Sequence, residues 1–180
     1  MTDKAYIQKL MDYFKFEPLP VEGGWYKQTY KSPDLLPENV LPAGSVGPHP
    51  MGTGILYFYT DDPDCFSAIH RLPIDETYHF YMGDPVEMLL LYPDGKSQRI
   101  ILGHDVLNGQ KVQFTVPHGV WQSSHLLPGG QFALAGTTMS PGYADSDYEG
   151  GEQQDMIRRY PQEADLIRSL TRPGAPLRTV

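Results

Sequence analysis

The sequence predicts an all-β domain, an antiparallel sheet closed into a barrel with short helices at both ends of the chain. Three observations carry this. Between Gly54 and Gly142, apolar and aromatic runs of strand length follow one another, each ended by Gly, Pro, Asn or Asp turn residues. The chain holds 18 Gly and 17 Pro, which favours turns over long helices. Its 12 Tyr and 7 Phe suit pleated, half-buried strands. Short strands at near-regular spacing read as a sandwich or barrel, and closure removes edges that would otherwise aggregate.

The elements follow in order. Ile7, Leu10, Met11 and Phe14 make one apolar stripe, so a helix is expected over 3–15, capped by Thr2 or Asp3. Pro18 and Pro20 end it. A Gly pair, Gly23-Gly24, opens a strand of alternating aromatic and polar residues through Tyr30. Residues 33–53 read as a long surface loop, a lid or a subunit contact. Strands are then expected over 55–59, 66–72, 76–82, 86–92, 97–102, 111–116, 121–126 and 132–139, so that the barrel spans about 22–142. Asp145, Asp147 and Glu149 lack the spacing of a calcium loop and read as a solvated acidic segment. Two helical pieces are expected over 152–171, with Pro161 in the first turn of the second and Leu166, Ile167 and Leu170 on its apolar face. The tail from Pro173 reads as loose. Without a repeat or a linker, residues 1–180 form a single domain.

Composition narrows the partners. A formal net charge of −8 argues against nucleic acid and against an anionic membrane surface. It leaves a small-molecule ligand open. Cys65 is the only cysteine, so no internal disulfide forms, and a reducing, cytoplasmic compartment is the simplest setting. No basic residue flanks Cys65, which therefore reads as an inert thiol. The start of the chain lacks the apolar stretch of a signal peptide, and no apolar run reaches the length of a membrane span.

The chemistry concentrates between Ile69 and Gly83. Side chains alternate along strands, so His70 is expected on one face with Ala68 and Leu72, and Glu76 on one face with Tyr78 and Phe80. If these faces look into the barrel, an imidazole and a carboxylate meet in an apolar interior. That arrangement is costly unless the pair is satisfied or used.

In this segment the sequence resembles the cupin superfamily. His70, Glu76 and Gly83 occupy three places of its first motif, with Leu72 where a second His would stand. Pro117-His118-Gly119-Val120-Trp121-Gln122 matches its second motif, with Gln122 in the place of the last His. Glu22-Gly23-Gly24 with Tyr26, Val116-Pro117, Trp121-Gln122 and Ser140-Pro141-Gly142-Tyr143 make it similar to single-domain cupins of unknown function. The resemblance implies a jelly-roll (double-stranded β-helix) barrel, usually dimeric, related to the sugar epimerases of the rhamnose pathway. It supplies no agreed reaction.

Metal-dependent cupins use three His and one Glu. Here Leu72 has no donor atom and Gln122 offers a poor one, so no resident metal is expected. A divalent cation, if held, would have His70, Glu76 and Gln122. Without one, His70, Glu76 and Tyr78 suit acid–base catalysis of an epimerase or isomerase type on a small polar, sugar-like metabolite. Gln122 is a candidate ligand contact, and Trp121 is either core or a ring lining the mouth. The resemblance alone brings Tyr26 and Glu22 to the mouth. His49, His79, His104, His118 and His125 are expected to hold no ligand. The competing readings are a non-catalytic binding module, a metal-dependent oxygenase or hydrolase, and a purely structural role.

Overall fold

The structure is a computed structural model and describes residues 4–178. The expected caps Thr2 and Asp3 lie outside the described residues. Among the described residues three α-helices, α1 (Lys4–Phe14), α2 (Gln153–Arg159) and α3 (Ala164–Ser169), flank thirteen strands. The strands of the first half are β1 (Glu17–Pro18), β2 (Trp25–Lys31), β3 (Leu35–Leu36), β4 (His49–Pro50), β5 (Thr53–Thr60), β6 (Phe66–Arg71) and β7 (Glu76–Gly83). Those of the second are β8 (Val86–Leu91), β9 (Ser97–Leu102), β10 (Gln113–Val116), β11 (Trp121–Leu126), β12 (Phe132–Met139) and β13 (Glu149–Gly150).

Two antiparallel sheets face each other. One runs β1-β2-β5-β12-β7-β10 and the other β13-β6-β11-β8-β9, a jelly-roll barrel. Strand alternation sorts the apolar residues. Tyr57, Tyr59, Tyr78, Phe80, Met88, Leu90 and Ala135 form the barrel interior. Phe58, Phe132 and Leu134 point outward from the first sheet and receive Ile7, Leu10, Met11 and Phe14 of α1. Leu89, Leu91 and Trp121 point outward from the second and receive Met156, Tyr160, Ile167 and Leu170 of the C-terminal helical region. The helices thus cover the two outer faces and leave the barrel interior to the strands.

Four segments differ from the sequence reading. The strand expected from Lys111 starts at Gln113, because the Lys111 N–H turns to the Ile101 carbonyl. The long loop is anchored: β3 pairs with β4, and His49 is fully buried between the Gly47 carbonyl (3.0 Å) and Asp147 Oδ1 (2.8 Å). The acidic segment is solvated only in part: Asp145 is exposed, but Asp147 is buried and Glu149 takes both Arg71 (2.8 Å) and Arg178 (3.2 Å). The tail is held on β13, where the Gly150 N–H donates to the Leu177 carbonyl at 2.9 Å. The partners Asp147 of His49, Arg71 of Glu149 and Leu177 of Gly150 are all remote in sequence, so local pattern carried no sign of them. Among the described residues no helix is long and apolar enough to cross a membrane.

Candidate functional site

The turn between β6 and β7 brings His70 and Glu76 to one end of the barrel, and β11 opens there with Gln122. Gln122 pairs with His70 across β6–β11, so both side chains face inward. The register then slips between Gln122 and Ser124, where Ser124 faces Ser67. This bulge breaks the expected alternation. Ala68 falls in the outer cluster rather than on the His70 face, and Leu72 is buried with Ile74 and Met139. The Ala68 N–H freed by the bulge donates to the Glu22 carbonyl at 2.9 Å. It thereby docks the loop that carries Glu22.

That loop is under backbone constraint. Val21 has φ 66°, the left-handed region that a β-branched residue rarely occupies. Gly23 follows at φ 96°, and a Cβ there would come within 2.7 Å of the Phe66 carbonyl oxygen. The Tyr57 hydroxyl donates to the Gly23 carbonyl at 2.6 Å. Glu22 Oε1 accepts from the Ser67 hydroxyl at 2.6 Å and is turned toward the inner face.

His70 is 2% exposed, Gln122 2% and Glu76 7%. His70 Nδ1 lies 2.8 Å from the Ala68 carbonyl, to which it donates, so Nε2 is the ring nitrogen not committed to the backbone. Gln122 Nε2 donates to Glu76 Oε2 at 2.8 Å. Gln122 Oε1 is buried without a hydrogen-bond partner. Burial pushes the Glu76 carboxyl above the ordinary carboxylate range, while His70 and hydrogen bonds from Thr137 and Gln122 pull it partly back. Burial also holds the Tyr57, Tyr59, Tyr78 and Tyr148 hydroxyls protonated, with Glu22 adding to the effect at each.

The structure brings His70, Glu76, Tyr78, Gln122 and Glu22 to the barrel interior and its rim. Tyr26 is half-buried and pairs with Tyr57 on the β2–β5 ladder. Trp121 is elsewhere: it packs outward against the C-terminal helical region, with the Arg71 guanidinium 4.7 Å above its ring. It lines no mouth, because one-residue alternation puts it opposite Gln122. Tyr148 stacks on His70, ring centres 5.2 Å apart, and closes the site. A cleft of about 520 Å³ lies at the opposite end of the barrel, between Asp62, Cys65, Phe66, Leu126 and Gly129. Sequence reasoning missed Tyr148, Ser67 and Thr137. Tyr148 lies within the acidic segment, and only chain folding carries it over His70.

The side chains do not fit the metal set of metal-dependent cupins. An apolar cluster surrounds Leu72 in the second His position, and the amide of Gln122 stands in the last. Among the described residues no three His, Cys, Asp or Glu side chains gather. Of the other histidines, His79 Nε2 meets Thr138 at 2.8 Å, His118 meets Asp75 at 2.9 Å, His125 meets Glu87 at 3.0 Å, and the His104 ring lies edge-on to Phe80.

Comparison with known proteins gives the same architecture. An uncharacterised protein of Saccharomyces cerevisiae is 29% identical over 143 residues, 76% of this chain and 71% of the yeast protein. A crystal structure of a Shewanella oneidensis protein superposes with TM-score 0.78 at 28% identity, covering 92% of this chain and 97% of that one. A hypothetical protein from Leishmania major gives TM-score 0.78 at 26% identity, covering 95% and 99%. A variant of Bacillus subtilis oxalate decarboxylase shares the fold alone, with TM-score 0.50 and 14% identity over 89% of this chain and 38% of that one. Residues 8–150 match the family described as Cupin superfamily (DUF985). With motif positions His70, Glu76, Gly83 and Gln122 on a jelly-roll barrel, the chain belongs to that family.

Proposed function

We propose that the Glu76 end of the barrel binds a small polar metabolite and moves a proton on it, in the manner of an epimerase or isomerase. The observation that carries this reading is Gln122 Oε1, a buried acceptor with no partner, beside a buried carboxyl and an imidazole. A native interior rarely leaves such an atom unsatisfied, and a ligand donor would satisfy it. Glu76, pushed up by burial, is the proton donor, and His70 Nε2 is the base. On a ligand with a C–H next to a carbonyl, His70 takes the carbon proton while Glu76 gives its own to the carbonyl oxygen. The product is an enol, an imidazolium and a carboxylate, and the reverse transfers return a proton to carbon. Tyr78 lies on the Glu76 face as a further hydroxyl donor. Entry requires the Tyr148 ring to leave His70.

The test is solvent exchange. Aldoses, ketoses and hydroxyketones incubated in D2O are expected to gain deuterium beside the carbonyl for at least one compound. E76Q is expected to slow that gain by about 100-fold or more. No exchange across the panel removes the catalytic half of the reading.

Pairing of two copies and a reducing, cytoplasmic setting belong to the same reading. The part of the outer β2-β5-β12-β7 face beyond α1 carries His79 and exposed Tyr30 and Tyr81, and Cys65 is a buried free thiol.

A further inference from the structure

We propose that residues 175–178 form a strap that holds Tyr148 over His70, and that peeling it away admits a ligand to the Glu76 end. This rests on the binding reading above and adds how access to that site is controlled.

The site has two doors in series. The inner one is the Tyr148 ring, buried and stacked on His70. Inward, the ring meets His70 and the packed tyrosines of the barrel. A void of about 20 Å³ lies beside it, and Ala175, Pro176 and Leu177 line that void from the tail. Such a space holds about one water, far less than a phenol ring needs. For the ring to swing off His70 into this void, the tail must move out.

The segment that carries Tyr148 is held on both sides, and the holds are unequal. Before the ring, Asp147 pairs with His49, both side chains 0% exposed. After it, β13 lies on β6, with Gly150 opposite His70, and the Gly151 N–H donates to the Ile69 carbonyl at 2.8 Å. The strap adds itself to the free edge of β13. Gly150 has no side chain to hold it off, since a Cβ there would come within 3.3 Å of Leu177 Cα. Among the described residues its ties to β13 are the bond from the Gly150 N–H to the Leu177 carbonyl and the pair of Arg178 with Glu149. Leu177 and Arg178 are both exposed. An exposed ion pair holds weakly, whereas a buried pair is costly to break. The tail side therefore opens first, as chain ends with few buried contacts do.

The closed state also carries a cost that opening removes. Arg172 lines the same void, and its Nε is buried without a hydrogen-bond partner. Water entering as the strap lifts satisfies that N–H.

The test reads His70 directly and needs no ligand. Diethyl pyrocarbonate modifies accessible imidazoles, and mass mapping of the peptides separates the histidines. Exposed His118 reports the reagent, and fully buried His49 reports unfolding of the whole chain. In the full chain, Arg178→Glu sets like charge against Glu149. It is expected to speed modification of His70 about fivefold or more while His49 stays unreactive. Glu149 and Arg178 face each other in the close, non-hydrogen-bonded pair of an antiparallel bridge, where a disulfide fits. Oxidised Glu149→Cys/Arg178→Cys is expected to slow His70 about tenfold or more against its own reduced form, with His118 unchanged.

His70 rates that ignore both the charge reversal and the staple overturn the strap. A rise matched at His49 overturns it too, because the whole chain is then unfolding. Exchange in D2O separates this proposal from the reading it rests on. Strap-dependent access to His70 with no exchange or binding by any compound leaves the strap standing and removes the function. Exchange that the oxidised staple does not slow keeps the function and overturns the strap. Should Arg178→Glu fail to fold, the two redox forms of the stapled chain decide alone.

Discussion

Asp147→Ala is expected to lower the unfolding free energy by about 3–5 kcal/mol, the usual loss when one partner of a buried pair is removed. His49 and Asp147 have side chains 0% exposed and meet at 2.8 Å. The second ring nitrogen faces the Gly47 carbonyl at 3.0 Å, and Asp147 Oδ2 also accepts from the Ala144 N–H at 3.2 Å. Removing the carboxylate strands a buried ring nitrogen and a backbone N–H together. The pair joins the segment before β5 to the turn after β12, 98 residues apart in sequence. For a chain of this size, about 2–4 °C is lost per kcal/mol, so the melting temperature should fall by about 10 °C. Urea denaturation checks it. The double variant His49→Ala/Asp147→Ala should lose less than the sum of the single losses, because the partners are coupled. A single-variant loss below about 1 kcal/mol would place the pair in contact with water.

Glu76 should leave a signature in the pH dependence of stability. Its carboxyl is raised above 4.5 in the folded protein by burial. Between 4.5 and the folded value, the unfolded chain has released the proton that the native state still holds. Stability therefore falls as pH rises through this window and is steady above it, the reverse of a salt-bridged carboxylate. E76Q removes the group from both states. The difference between wild-type and variant stability should thus shift in the variant's favour as pH rises from about 4.5, as read by denaturation at matched pH values. A difference that stays flat across the window would mean that Glu76 is solvated and unperturbed. The same substitution is the one expected to slow solvent exchange, so the two measurements report on one proton.

Much of the barrel was legible because local pattern and tertiary role agree there. Period-2 alternation placed Glu76, Tyr78 and Phe80 on one inward face, and turn residues bounded nearly every strand. The misreadings share a cause. Alternation treats a strand as regular, and the slip between Gln122 and Ser124 moved Ala68 off the His70 face. Polarity treats acidic segments as solvated, and Asp147 found His49 from far along the chain. Trp121 was ambiguous because an aromatic before an inward Gln fits a helix-covered outer face as well as a mouth.

The sequence by itself determined an all-β barrel with flanking helices, through periodicity and turn chemistry, while the resemblance to cupins implied the jelly roll and the motif places of His70, Glu76 and Gln122. Only the tertiary structure decided that Tyr148 closes that end, that Glu22 enters it from a constrained loop, and that Gln122 keeps an acceptor without a partner. These depend on contacts between segments tens of residues apart, and the pairing of distant surfaces is fixed by packing of the whole chain rather than by any local pattern.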